Sequence, residues 1–121
     1  MADIAITLKT GTAPYRLDTI KKIPIHNFGD NINFTIQNSA GAALDITGTT
    51  PKFTLYRAGP RHEMEQDMQK DCTIISGPGG TCRYTVLAGD FNHRSVYFGR
   101  VEIFTGTTKI DSTQDFLMEV V

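Results

Sequence analysis

Two alternating runs, Asn31-Ile-Asn-Phe-Thr-Ile-Gln37 and Pro51-Lys-Phe-Thr-Leu-Tyr-Arg57, decide the fold, together with the turn-rich Asn38–Thr50 between them. Ile32, Phe34 and Ile36 alternate with Asn33, Thr35 and Gln37; Phe53 and Leu55 alternate with Lys52, Thr54 and Tyr56. A period of two places each apolar set on one face of a strand. The two strands are expected to face each other across a sandwich core. Asn38-Ser39-Ala40-Gly41 reads as a turn, and Leu44-Asp45-Ile46-Thr47-Gly48 as a corner between sheets, with Asp45 and Thr47 bonding nearby backbone.

Working outward, Asp3–Lys9 alternates with Ile4, Ile6 and Leu8 on one side. Residues 1–22 are expected as an N-terminal strand or arm. Ile4, Ile6 and Leu8 suit docking on a neighbour or pairing in the chain's own sheet. Tyr15–Ile20 is ambiguous, and Lys21–His26 looks extended, with Pro24 at an edge. On the C-terminal side, Cys72–Ser76 and Thr81–Leu87 flank the turn Gly77-Pro78-Gly79-Gly80. Val96–Phe104 and Gln114–Val121 complete the strands. Ala58–Asp71 is the least strand-like segment. It reads as a polar surface excursion with a weak edge strand, or a short helical turn because Met64 and Met68 lie four apart. The predicted core is Ile32, Phe34, Ile36, Phe53, Leu55, Tyr84, Val86, Val101, Ile103, Phe116 and Met118.

The chain is expected to be one all-β domain over residues 1–121, an immunoglobulin-like antiparallel β-sandwich of about seven to nine strands. At 121 residues it can hold a core without staples. Twelve basic and 13 acidic residues leave a formal charge of -1, which gives no electrostatic footprint for nucleic acid or an anionic membrane. No apolar run reaches the roughly 18 residues of a spanning helix. The N-terminus has no basic-then-apolar leader, so synthesis in a cytoplasm is expected.

No catalytic constellation is legible, and no catalytic residue, cofactor or metal is expected. His26, His62 and His93 have no second ligand at zinc spacing. Glu63, Glu65, Asp67 and Asp71, mixed with Arg61 and Lys70, read as a solvated surface. The Gly77–Gly80 turn has no following Lys-Ser/Thr for phosphate, and no Gly-x-Ser-x-Gly elbow occurs. Cys72 and Cys82 flank that turn nearly symmetrically. They can face each other as a disulfide or stay as free thiols, and a reducing compartment favours the thiols.

The order of these features resembles a known family. It runs through Leu44-Asp45-Ile46-Thr47-Gly48, Pro51–Arg57, Cys82-Arg83-Tyr84-Thr85-Val86, Asp90, Tyr97–Phe104 and Phe116–Val121. From about Ile23 onward it resembles the immunoglobulin-like N-terminal domain of tailed-phage baseplate upper proteins and related virion β-sandwich modules. The Ala58–Asp71 excursion departs from that family in being longer and more polar. The resemblance implies a non-enzymatic virion structural protein of the tail, neck, baseplate or head decoration. Other virion proteins are its expected partners, with homo-oligomers in the assembly. No fibre or receptor-binding segment is expected after the last strand. The alternative is a stand-alone binding module, for carbohydrate, with Tyr15, Tyr56 and Tyr97 as the first candidates.

Overall fold

The computed structural model describes residues 3–11, 16–58, 64–91 and 94–121, without the side chains of 16–19, 58 and 64–67. Every regular element among them is a strand: β1 (Ile4–Lys9), β2 (Arg16–Ile23), β3 (Asn31–Gln37), β4 (Thr50–Ala58), β5 (Met64–Asp71), β6 (Thr73–Ser76), β7 (Thr81–Thr85), β8 (Ser95–Thr105), β9 (Thr108–Ser112) and β10 (Asp115–Val120). They form two sheets, ordered β1-β3-β7-β6 and β2-β10-β8-β4-β5, with β9 paired to β8 beside that path. The chain is an all-β sandwich.

Two details differ from the sequence expectation. The strands number ten among the described residues. Pairing is not purely antiparallel, because β1 joins β3 and β2 joins β10 in parallel. Parallel partners need a long crossover, and here the intervening chain supplies it; alternation within a strand carries no sign of direction. In the segment where an edge strand and a short helical turn were both open, the edge strand is seen: Met64–Asp71 pairs antiparallel with β4, Met68 opposite Leu55. Its sequence is polar because it closes a sheet edge, and the register with β4 fixes what propensity leaves open.

The alternating stretch behaves as its period dictates. β3 buries every second residue, and Ile32, Phe34 and Ile36 are inside. β3 and β4 belong to different sheets, so Phe34 meets Phe53 across the sandwich with ring centroids 5.3 Å apart. Phe53 also packs on Tyr84 at 5.6 Å and Phe116 at 6.3 Å. All eleven residues named for the core are buried. Ile23, Ile46, Phe91, Tyr97 and Val120 join them. Leu44–Gly48 carries the chain from one sheet to the other. Ile46 anchors that corner inside, while Asp45 accepts bonds from the Thr47 amide at 2.9 Å and hydroxyl at 2.6 Å. Those two donors hold the Asp45 carboxyl below its usual value.

Of the two roles open to the first strand, pairing in the chain's own sheet is the one seen. β1 pairs with β3 along its whole length, Ile6 opposite Phe34 and Leu8 opposite Ile36. Ile6 and Leu8 are buried in the chain's own core, and Ile4 packs against it. The Gln114 amide donates to the Lys9 carbonyl at 2.8 Å, and the Lys9 amide donates to Gln114 Oε1 at 3.0 Å, so β1 is tied to both sheets.

Candidate functional site

The residues singled out for chemistry do not converge. His26 is exposed in a loop and adopts φ 61°; His62, His93, Arg61, Glu63 and Tyr15 lie outside the described residues. Among the described residues, no group of three or more His, Cys, Asp or Glu side chains is placed to hold a metal. Asp71 pairs with Lys52 at 3.4 Å on the surface. Of the candidate tyrosines that are described, Tyr97 is buried and Tyr56 is engaged in the sheet. Tyr97 lies on the inward face of β8, where period two puts it together with Gly99, Val101 and Ile103.

The structure instead reveals a polar belt on the outer face of the larger sheet. β8 is the middle strand there, and its outward residues Arg100 and Glu102 are held by strands on both sides. Glu102 is only 3% exposed. It accepts from the Thr54 hydroxyl at 2.9 Å, the Tyr56 hydroxyl at 3.1 Å, Gln69 Nε2 at 3.3 Å and Lys109 Nζ at 2.9 Å. Arg100 forks onto Asp115 at 2.8 and 3.2 Å and stacks 4.5 Å from the Tyr56 ring centre. Both carboxylates are thereby satisfied within the fold, which suits scaffold polarity rather than proton-transfer chemistry.

Burial by itself would raise the Glu102 carboxyl. The bonds from Lys109 and Thr54 outweigh it and hold the group below the ordinary carboxylate value. A depressed folded value stabilises the fold above the unfolded value of about 4.3 and stops doing so as pH falls through the lower folded one. Thermal melts across pH should therefore show the gap between wild type and Glu102→Gln widest above about pH 5 and narrowing on acidification. A pH-independent gap would remove this role.

Cys72 and Cys82 are free thiols, both buried. They are not directly opposed, since Cys82 pairs with Ile74. Cys72 occupies the single-residue step between β5 of one sheet and β6 of the other. Its hydrogen bond with Cys82 and its burial push the Cys72 thiol far above its ordinary value. The thiolate is the reactive form, so alkylation of the native protein should be slow and become complete only on unfolding. Fast labelling of the folded chain, read by mass, would contradict this packing.

What remains accessible lies at the sandwich ends and edges. At one end the chain crosses between sheets through 24–30, held by Ile25 N–H to the Val121 carbonyl at 2.8 Å and Gly29 N–H to the Val86 carbonyl at 2.9 Å. Asp90 closes the neighbouring loop by accepting from the Leu87 amide at 2.9 Å and from the Tyr84 hydroxyl. Phe28, Leu87, Val96 and Val121 are exposed at this end, Phe28 at 66%. The lateral edges are β1 and β6 in one sheet, β2 and β5 in the other.

The described residues form a β-sandwich whose outer polar belt is tied together within the larger sheet and whose lateral edge strands have no further strand beside them among the described residues. The model of the BppU N-terminal domain family, the N-terminal domain of phage baseplate upper proteins, matches residues 26–121, and the chain belongs to that family. It is thus a phage baseplate structural domain, a component of the virion rather than of a known enzyme class. No curated protein matches the chain. Among solved structures it is similar to the N-terminal domain of phage TP901-1 ORF48, with a TM-score of 0.75 at 21% identity, covering 99% of this chain and 98% of that one. At that identity the likeness establishes the fold alone.

Proposed function

We propose that the domain acts without catalysis, by assembling with other virion proteins in the tail baseplate of a phage. The observation that carries this reading is the family membership of residues 26–121. Two surface features support it. Unpaired strand edges offer backbone groups for strand addition. The exposed apolar end of Phe28, Leu87, Val96 and Val121 is the kind of patch that a partner covers. The modest net charge of -1 fits protein partners better than nucleic acid or anionic lipid.

The test is made on particles. The chain is expected in purified phage, at a fixed copy number per virion by quantitative mass spectrometry. Phe28→Asp together with Leu87→Asp should reduce its incorporation, while the isolated chain keeps its melting temperature because both side chains are already exposed. Absence of the wild-type chain from purified particles overturns the proposal.

A further inference from the structure

The smaller sheet has one blunted edge and one open edge. β6 has 4 residues and a register shift between Ile74 and Ser76, and a short bulged strand is a poor template for another. β1 is the open edge. The Thr10 amide donates to the Gln37 carbonyl at 2.9 Å, which fixes the parity of the parallel ladder. Successive residues of a strand turn their backbone groups to opposite sides. Ile4, Ile6, Leu8 and Thr10 therefore bond β3, while Ala5, Thr7 and Lys9 turn N–H and C=O away from it. Gln114 takes both groups of Lys9, at 3.0 and 2.8 Å. Those of Ala5 and Thr7 meet no strand among the described residues, and both side chains are exposed. We infer that two copies of this chain pair β1 to β1, antiparallel about a two-fold axis at Ile6, and so join their smaller sheets. This rests on the reading of the domain as an assembly module and names one partner, a second copy.

Backbone and charge select the same register. Centred on Ile6, the pairing sets Ala5 of one copy opposite Thr7 of the other, and Thr7 opposite Ala5, each pair exchanging both backbone bonds. Centred on Thr7, it would need Ala5 to bond Lys9, whose groups Gln114 already holds. Centred on Ala5, it would set Thr7 opposite Asp3, which lies before the strand begins. The Ile6 register also sets Asp3 of each copy opposite Lys9 of the other. These two residues share the solvent-facing parity of Ala5 and Thr7, carry opposite charges and make no ion pair among the described residues. Opposite charges facing each other across strands attract and like charges repel. An in-register parallel pairing would set Asp3 beside Asp3 and Lys9 beside Lys9. On the inner face the chosen register brings Ile6 beside Ile6 and Ile4 beside Leu8, which covers the half-buried Ile4. Each copy uses the same surface, so the contact closes as a dimer.

The test uses the full chain in sedimentation equilibrium, where a dimer is expected. Thr7→Pro removes an outward N–H that β3 does not use, so it should abolish the dimer while the melting temperature stays near that of wild type. Asp3→Lys and Lys9→Asp, each alone, should weaken association about tenfold, because like charges then face each other. The double variant carrying both should regain it, since opposite charges face again. That recovery decides the matter even if Thr7→Pro fails to fold. A dimer indifferent to a folded Thr7→Pro, or one that the double variant does not restore, overturns the inference. So does a wild-type chain that is monomeric in solution yet present in purified particles, and that result leaves the assembly reading standing.

Discussion

Phe53→Ala is expected to cost about 3 to 5 kcal/mol, the range for removing a buried Phe. Phe53 is fully buried at the centre of an aromatic cluster, with Phe34, Tyr84 and Phe116 at ring-centre distances of 5.3, 5.6 and 6.3 Å. Phe34 and Tyr84 come from the smaller sheet, Phe53 and Phe116 from the larger, so the lost ring is the contact between layers. Two sheets held by paired strands cannot collapse around the hole without shifting whole ladders, which keeps the cavity open and the cost high. For a domain of this size the melting temperature should fall by roughly 10 to 20 °C. Denaturant melts measure the change directly. A loss under about 1 kcal/mol would mean that the rings are not packed as described.

Gly80→Ala is expected to cost about 2 to 5 kcal/mol, from backbone strain and overpacking together. Gly80 has φ +68°, and a Cβ there would lie 2.4 Å from the Ile36 carbonyl oxygen and 2.7 Å from that of Leu44. Those are backbone atoms, so no side chain can swing aside. The same residue accepts the Ile36 amide at 2.8 Å and closes its own turn onto Gly77 at 3.1 Å. Leu44 N–H meanwhile donates to the Ile36 carbonyl at 3.0 Å. One added methyl thus presses on β3, the hairpin and the sheet-crossing corner at once. Gly89→Ala is the control: its φ is +89°, but no atom lies within 4 Å of the new Cβ. It should show only the backbone penalty, about 1 to 2 kcal/mol. Equal losses at the two glycines would mean that crowding at Gly80 is relieved elsewhere.

Much of the fold was legible in single strands. β3 and β4 announce their inner faces because one side of each must leave water, and that demand repeats every two residues whatever the neighbours are. The same logic gave β7, β8 and β10. It failed at β5, whose polar sequence has no apolar face to display, and at β2, which alternates poorly. The polar belt was not legible either. Glu102 reads as an ordinary outward residue of β8, and only its neighbours Thr54, Tyr56, Gln69 and Lys109 bury and neutralise it. Tyr97, weighed for sugar binding, follows its strand's inward parity instead.

By itself the sequence determined that the chain is all-β, which strand faces form its core and where the Gly-rich turns and the Leu44–Gly48 corner fall. These follow from local alternation and from residues that tolerate turns. Only the tertiary structure decided strand partners and directions: β1 parallel to β3, β2 parallel to β10, and β2 and β5 as opposite edges of one sheet. Pairing joins residues far apart in the chain, such as Ile23 and Val120. A period of two carries neither partner nor direction, so which strands become the edges of each sheet emerges only when the sheets are assembled.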